Sequence, residues 1–182
     1  MDDKVRHVSE MLVGVRMDGG AGGTESLMWV YRSGELEPNT VILYEYQKTR
    51  KKEHARECLK GLSGICVTDG YQVYHSIADE REDLTIAGCW SHARRGFADV
   101  VKAAGKKDVG IRQSVAYKSL QLIQTMSRYE EKLAKMEPAE RLEARIHYVL
   151  PLADAFFAYL KSKEGSVAPK SATGKAIRYC LN

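Results

Sequence analysis

The chain has 182 residues, 44% of them hydrophobic and 29% charged. That balance excludes a disordered or low-complexity polymer and allows one substantial buried core. No apolar run approaches the roughly 18 residues a membrane helix needs, and Met1-Asp2-Asp3-Lys4 opens without the apolar core of a secretion signal, so a cytoplasmic protein is expected. Cys58, Cys66, Cys89 and Cys180 follow no framework or metal-site spacing, which points to reduced thiols rather than disulfides.

The net charge of +4 hides an asymmetry: residues 1–90 carry 11 Lys/Arg against 15 Asp/Glu, and residues 91–182 carry 17 against 9. An acidic half beside a basic half suits a metal site next to a polyanion-binding surface, although solvated helix faces give the same count.

In chain order, Asp2 to Val8 alternates with a period of two and reads as a first strand, and the glycine-rich stretch from Gly14 to Ser26 reads as a loop. Leu27 to Arg32 and Val41 to Tyr46 are aromatic and β-branched runs separated by Gly34 and Pro38, the pattern of a hairpin. A helix is expected from Thr49 to about Lys60, where Gly61 stops it. Gly64 to Asp69 is the next strand, an apolar run ending on one carboxylate followed by Gly70. A short helical segment over Tyr71 to Ile77, a charged loop over Asp79 to Asp83 and a buried strand over Leu84 to Ala87 follow.

Three strands of meander, a crossover helix and a further strand ending on an acidic residue is the layout of a ribonuclease-H-like α/β domain. From Ser91 onward strand signals cease. Helices are expected over about 91–104, 111–136, 138–161 and 170–181, with Gly105, Pro138 and Gly165 to Pro169 as breaks. Ile111, Val115, Leu120, Ile123, Met126 and Leu133 recur at helical spacing and read as a core stripe, and Pro151 is expected to kink the third helix. The expected organisation is a catalytic core over 1–104 and an all-helical extension over 105–182.

Two carboxylates arriving from different strands at one sheet edge can hold a divalent cation through oxygen ligands. Asp69 is the best candidate, with Asp2 or Asp3 of the first strand as its partner; the plain alternative for Asp69-Gly70 is a turn. In Gly88-Cys89-Trp90-Ser91-His92-Ala93-Arg94-Arg95-Gly96-Phe97, Ser91 is a plausible helix cap, placing His92, Arg94 and Arg95 in a first turn suited to phosphate. Lys102, Lys106 and Lys107 continue a basic surface. Cys89 and His92 have no second pair at zinc spacing, and neither a nucleophile elbow nor a nucleotide-binding loop is present.

Five stretches in one order carry a resemblance: Met28-Trp29-Val30-Tyr31-Arg32-Ser33-Gly34, Leu43-Tyr44-Glu45-Tyr46, Thr68-Asp69-Gly70-Tyr71-Gln72-Val73-Tyr74, Gly88 to Phe97, and Lys170-Ser171-Ala172-Thr173-Gly174-Lys175-Ala176-Ile177. Together they resemble the central region of transposases of the insertion-sequence-66 family, and Glu140-Arg141 and Arg145 fit its helical stretch. The resemblance implies a ribonuclease-H-like DDE domain in which three acidic residues bind Mg²⁺ for cleavage and transfer of transposon DNA. The second acidic residue falls on Asp69, and the first most naturally on Asp2. The third, a glutamate, is expected beyond Asn182, so the chain reads as a core truncated at both ends and inactive alone. DNA is the implied partner, no membrane is, and a homo-oligomer is allowed. The alternative is a non-catalytic DNA-binding fragment using the basic surface after residue 90.

Overall fold

The computed structural model describes the backbone of residues 6–14, 25–33, 39, 41–105 and 109–182, and the side chains of these from residue 28 on, Val109 apart. The strands are β1 (Arg6–Gly14), β2 (Glu25–Ser33), β3 (Ile42–Gln47), β4 (Gly64–Thr68) and β5 (Leu84–Gly88). The helices are α1 (Lys52–Cys58), α2 (Gln72–Ala78), α3 (Trp90–Ala104), α4 (Val115–Leu133), α5 (Pro138–Ala144), α6 (Leu150–Glu164) and α7 (Ala172–Leu181). The chain divides into two compact units, residues 1–89 and 90–182. Helix α3 therefore belongs with the helices that follow it, and its neighbours are α4 and α7.

The first unit is a five-stranded mixed sheet in the order β3-β2-β1-β4-β5. β1, β2 and β3 form an antiparallel meander, while β4 runs parallel to β1 and β5 parallel to β4. The β-branched and apolar run Ile65-Cys66-Val67 suits an interior parallel strand, and helix α2 makes the crossover from β4 to β5. On one face Trp29, Ala55, Leu59, Cys66, Tyr74, Ile77 and Leu84 are buried together. The centre of that core is aromatic: Trp29 and Tyr71 both lie edge-on or tilted to Tyr74, at 6.1 Å and 5.9 Å between ring centres.

β1 departs from expectation. It begins at Arg6 and continues to Gly14, through Ser9-Glu10-Met11-Leu12-Val13, pairing along its whole length with β2. Asp2 and Asp3, expected on this strand, lie outside the described residues.

The second unit is helical. Ala93, Phe97, Ala116, Ile123, Met126, Phe156, Leu160, Ala176 and Ile177 are buried together; Ile123 and Met126 of the expected stripe lie in this core with Val115 and Leu120 packed against it, whereas Ile111 falls in a separate 3₁₀ turn, Val109–Gln113, before α4. Phe97 and Phe156 meet edge to face at 6.3 Å, and Trp90 lies 5.5 Å from Phe156. α5 passes into α6 through a π-helical turn, Arg145–Val149. Pro151 has no N–H to give the helix, and a widened turn just before it absorbs the lost bond. Arg145 in that turn grips the Glu130 carboxylate of α4 at 2.6 Å.

Two close approaches set the position of α7. A Cβ on Gly96 of α3 would stand 3.0 Å from the Ala176 Cβ, and one on Gly174 would stand 2.3 Å from the Ala168 carbonyl oxygen. Ser171 caps the helix, its hydroxyl accepting from Gly174 N–H at 3.0 Å. The small residues of Ser171-Ala172-Thr173-Gly174 thus let backbone pass close to backbone.

Candidate functional site

β4 ends at Thr68, whose carbonyl accepts from Cys89 N–H at 2.9 Å, and the next residue is Asp69. This carboxylate is half-buried at the C-terminal end of a strand flanked by β1 and β5. Loops leaving this end of a parallel sheet are where α/β proteins build ligand sites. The Asp69 carboxylate also does local work, since its Oδ1 accepts from Tyr71 N–H at 3.1 Å. That Asx turn, with Gly70 at φ +86°, redirects the chain from β4 into α2. Tyr71 is then fixed by its hydroxyl, which donates to the Arg50 carbonyl at 3.0 Å, while the Arg50 guanidinium lies 3.8 Å over its ring. The turn reading and the functional reading of Asp69-Gly70 are therefore compatible: Oδ1 accepts the turn's hydrogen bond, and Oδ2 has no hydrogen-bond partner among the described residues.

The parallel ladder pairs Arg6 with Cys66, His7 with Val67 and Val8 with Thr68. The ladder ends there, and Asp69 follows in the turn just beyond β4. Among the described residues no three His, Cys, Asp or Glu side chains group closely enough to hold a metal ion.

The basic candidates fall on α3, in the second unit. Ser91, expected as its cap, is the second residue of a helix that starts at Trp90. His92 lies in the first turn, half-buried, with a buried Nδ1 that has no hydrogen-bond partner. Arg94, Arg95 and Lys102 are exposed and make no ion pair with a described side chain. Lys106 and Lys107 lie outside the described residues. Lys170 and Lys175, not singled out from the sequence, are exposed next to and on α7, the helix packed against α3.

Other motif residues turn out to build the fold. Trp29, Tyr71 and Tyr74 form the aromatic core, and the Tyr31 hydroxyl donates to Glu45 at 3.0 Å. Burial, followed by Cys58 and Glu45 at its hydroxyl, pushes the Tyr31 phenol far above its ordinary range. The thiols are free and inert in the same sense: burial raises Cys58 to about 11 and Cys66 and Cys180 to about 12.

The first unit is thus mixed α/β with a carboxylate just beyond an interior parallel strand, and the second is helical, with surface cations that pair with no described carboxylate. Over residues 1–182 the chain matches the Transposase IS66 family, and it belongs to that family. Three proteins of Sinorhizobium fredii (strain NBRC 101917 / NGR234) are similar to it. Uncharacterized protein y4qI is 29% identical over 90% of this chain and 31% of its own length. Uncharacterized protein y4jD is 27% identical over 76% of this chain and 27% of its own, and uncharacterized protein y4hP is 28% identical over 87% and 31%. The chain thus spans about a third of the length of these relatives. No solved structure matches. Among the described residues no helix is long and apolar enough to cross a membrane.

Proposed function

We propose that this chain is the catalytic-core portion of a DDE-type transposase on a ribonuclease-H-like scaffold, and that by itself it holds DNA without cutting it. The observation that carries the reading is the position of Asp69, a carboxylate just beyond the C-terminal end of an interior parallel strand in a chain of this family. Support for the scaffold comes from a three-stranded meander extended by two parallel strands through a crossover helix. DNA is the substrate class that family membership favours. The exposed Arg94, Arg95 and Lys102, which pair with no described carboxylate, suit a phosphate backbone together with His92 at the start of the same helix. Lys106 and Lys107 join this proposal on sequence alone.

Divalent cations such as Mg²⁺, when held in such a site, stabilise the charge on the attacking and leaving oxygens of phosphoryl transfer. Among the described residues no two further His, Cys, Asp or Glu side chains stand close enough to Asp69 to complete such a site, and the reading adopted is of a core that does not cleave DNA by itself. The test is nicking and strand transfer on plasmid and transposon-end DNA with Mg²⁺, comparing the chain with Asp69→Ala. DNA binding without Asp69-dependent cleavage is the expected result, and robust Asp69-dependent strand transfer overturns it.

A further inference from the structure

We propose that β3 is an assembly edge: its outer side pairs antiparallel with β3 of a second copy of this chain, closing a two-fold dimer around Tyr44. β3 stands at the end of the sheet order β3-β2-β1-β4-β5, so among the described strands only β2 meets it. Which backbone groups face outward follows from the ladder. Ser33 N–H donates to the Val41 carbonyl at 2.9 Å, and the β2–β3 register runs without a bulge from Arg32 opposite Ile42 to Leu27 opposite Gln47. Bonded pairs alternate along an antiparallel ladder, so Leu43, Glu45 and Gln47, like Val41, turn their N–H and C=O towards β2. Ile42, Tyr44 and Tyr46 turn theirs away, and no hydrogen bond from another described backbone group takes them up. Natural sheet edges are commonly guarded by lysine, proline or a bulge, and Ile42-Leu43-Tyr44-Glu45-Tyr46-Gln47 has none of these. Instead Ile42 is 47% exposed, Leu43 59%, Tyr44 64% and Tyr46 44%.

Register and charge select a copy of the same strand. Centring the two-fold on Tyr44 sets Tyr44 opposite Tyr44, Ile42 opposite Tyr46 and Leu43 opposite Glu45, and it engages every outward-facing residue of both copies. Aromatic and aromatic–β-branched pairs of this sort stabilise neighbouring strands. The strand's one charged residue, Glu45, then faces an apolar side chain and stays held within its own sheet by the Tyr31 hydroxyl and the Gln47 amide. Moving the centre to Glu45 would set like charges opposite each other, which is destabilising. At the far end of the sheet β5 exposes no large apolar side chain, so β3-to-β3 pairing closes at two copies instead of propagating. A six-residue edge is only about 20 Å long and makes an interface smaller than the standard of roughly 800 Å² per partner, so the association is reversible and concentration-dependent.

The experiment is sedimentation equilibrium of the full chain without DNA, from micromolar to millimolar protein, with circular dichroism to check the fold of each variant. The unaltered chain is expected to pass reversibly from monomer to dimer and no further. Tyr44→Lys sets two ammonium groups opposite each other at the two-fold and is expected to raise the dissociation constant at least about tenfold. Tyr44→Pro removes an outward N–H, which an edge strand tolerates, and is expected to weaken the dimer likewise; if it does not fold, Tyr44→Lys decides the matter. Leu43→Lys separates strand pairing from general apolar association: it deletes an exposed apolar side chain yet places a cation opposite Glu45 of the second copy, so the dimer is expected to be kept or strengthened. A chain that stays monomeric throughout overturns the proposal, as does growth beyond two copies. So does a dimer that a folded Tyr44→Lys leaves intact, or one that Leu43→Lys abolishes. None of these outcomes involves DNA, so failure here is distinguishable from failure of the transposase reading.

Discussion

Replacing Gly174 with alanine sets two effects of opposite sign against each other. Within a helix, alanine is favoured over glycine by about 1 kcal/mol, so a freely placed Gly→Ala change near the start of α7 would stabilise. Here the new Cβ would stand 2.3 Å from the Ala168 oxygen and 3.0 Å from both the carbonyl carbon and the Cα of Pro169. All three are backbone atoms, so no side chain can swing away and the first turn of α7 must withdraw from the 168–169 segment. Overpacking of this kind costs about 1–3 kcal/mol, and the same shift loosens the Ser171 cap on Gly174 N–H, worth about 1 kcal/mol. The net expectation is a loss of about 1–3 kcal/mol, read as a lower urea midpoint at unchanged slope. Gly165→Ala is the control, because Gly165 has φ −73° and nothing within 4 Å of a new Cβ; it should be neutral or stabilising by up to about 1 kcal/mol. If Gly174→Ala is as stable as Gly165→Ala, the close approach is not what holds α7.

Asp69→Ala removes the acceptor for Tyr71 N–H and should destabilise by about 1 kcal/mol, whereas Asp69→Asn keeps an acceptor and should stay within a few tenths of the unaltered chain in the same urea titration. Phe156→Ala, at a fully buried ring in the helical core, should cost about 3–5 kcal/mol, measured by thermal or urea unfolding. Cys66 ionises near 9.0 when unfolded and at about 12 when folded. Its buried neutral thiol therefore contributes stability that is complete below pH 9 and fades as pH rises towards 12, at up to about 1.4 kcal/mol per pH unit. Cys66→Ala should flatten that alkaline limb of a stability profile.

Much of the fold is legible in the sequence because local patterns suffice for it. Ile65-Cys66-Val67 is apolar and β-branched, and it forms β4 with Asp69 just beyond its end. The spacing of Ile123, Met126 and Leu133 marks the buried face of α4. The meander and the crossover follow from the order of such segments.

What escapes the sequence is mostly long-range. Alternation near Asp2 to Val8 marks a strand but not its extent or register, since β1 pairs with β4 across about sixty residues of chain. The π-helical turn before Pro151 is a three-dimensional answer to a missing donor, where the sequence predicts only a kink. Gly174 stands in a quoted motif, but its close approach to Ala168 and Pro169 is visible only in the fold. Trp29, Tyr71 and Tyr74 lie in two separate stretches of sequence, and only folding brings them together as one aromatic core.

Phosphate contacts on the helical unit are proposed to hold DNA on this chain, and duplex binding by fluorescence anisotropy across a salt series tests this most directly, with the unaltered chain and Arg94→Ala/Arg95→Ala/Lys102→Ala. Each phosphate neutralised contributes about −0.9 to the slope of log K against log salt. The account predicts steep salt dependence that the triple substitution flattens by roughly 2–3. Absent or salt-insensitive binding, or a slope that the substitution leaves unchanged, would contradict it.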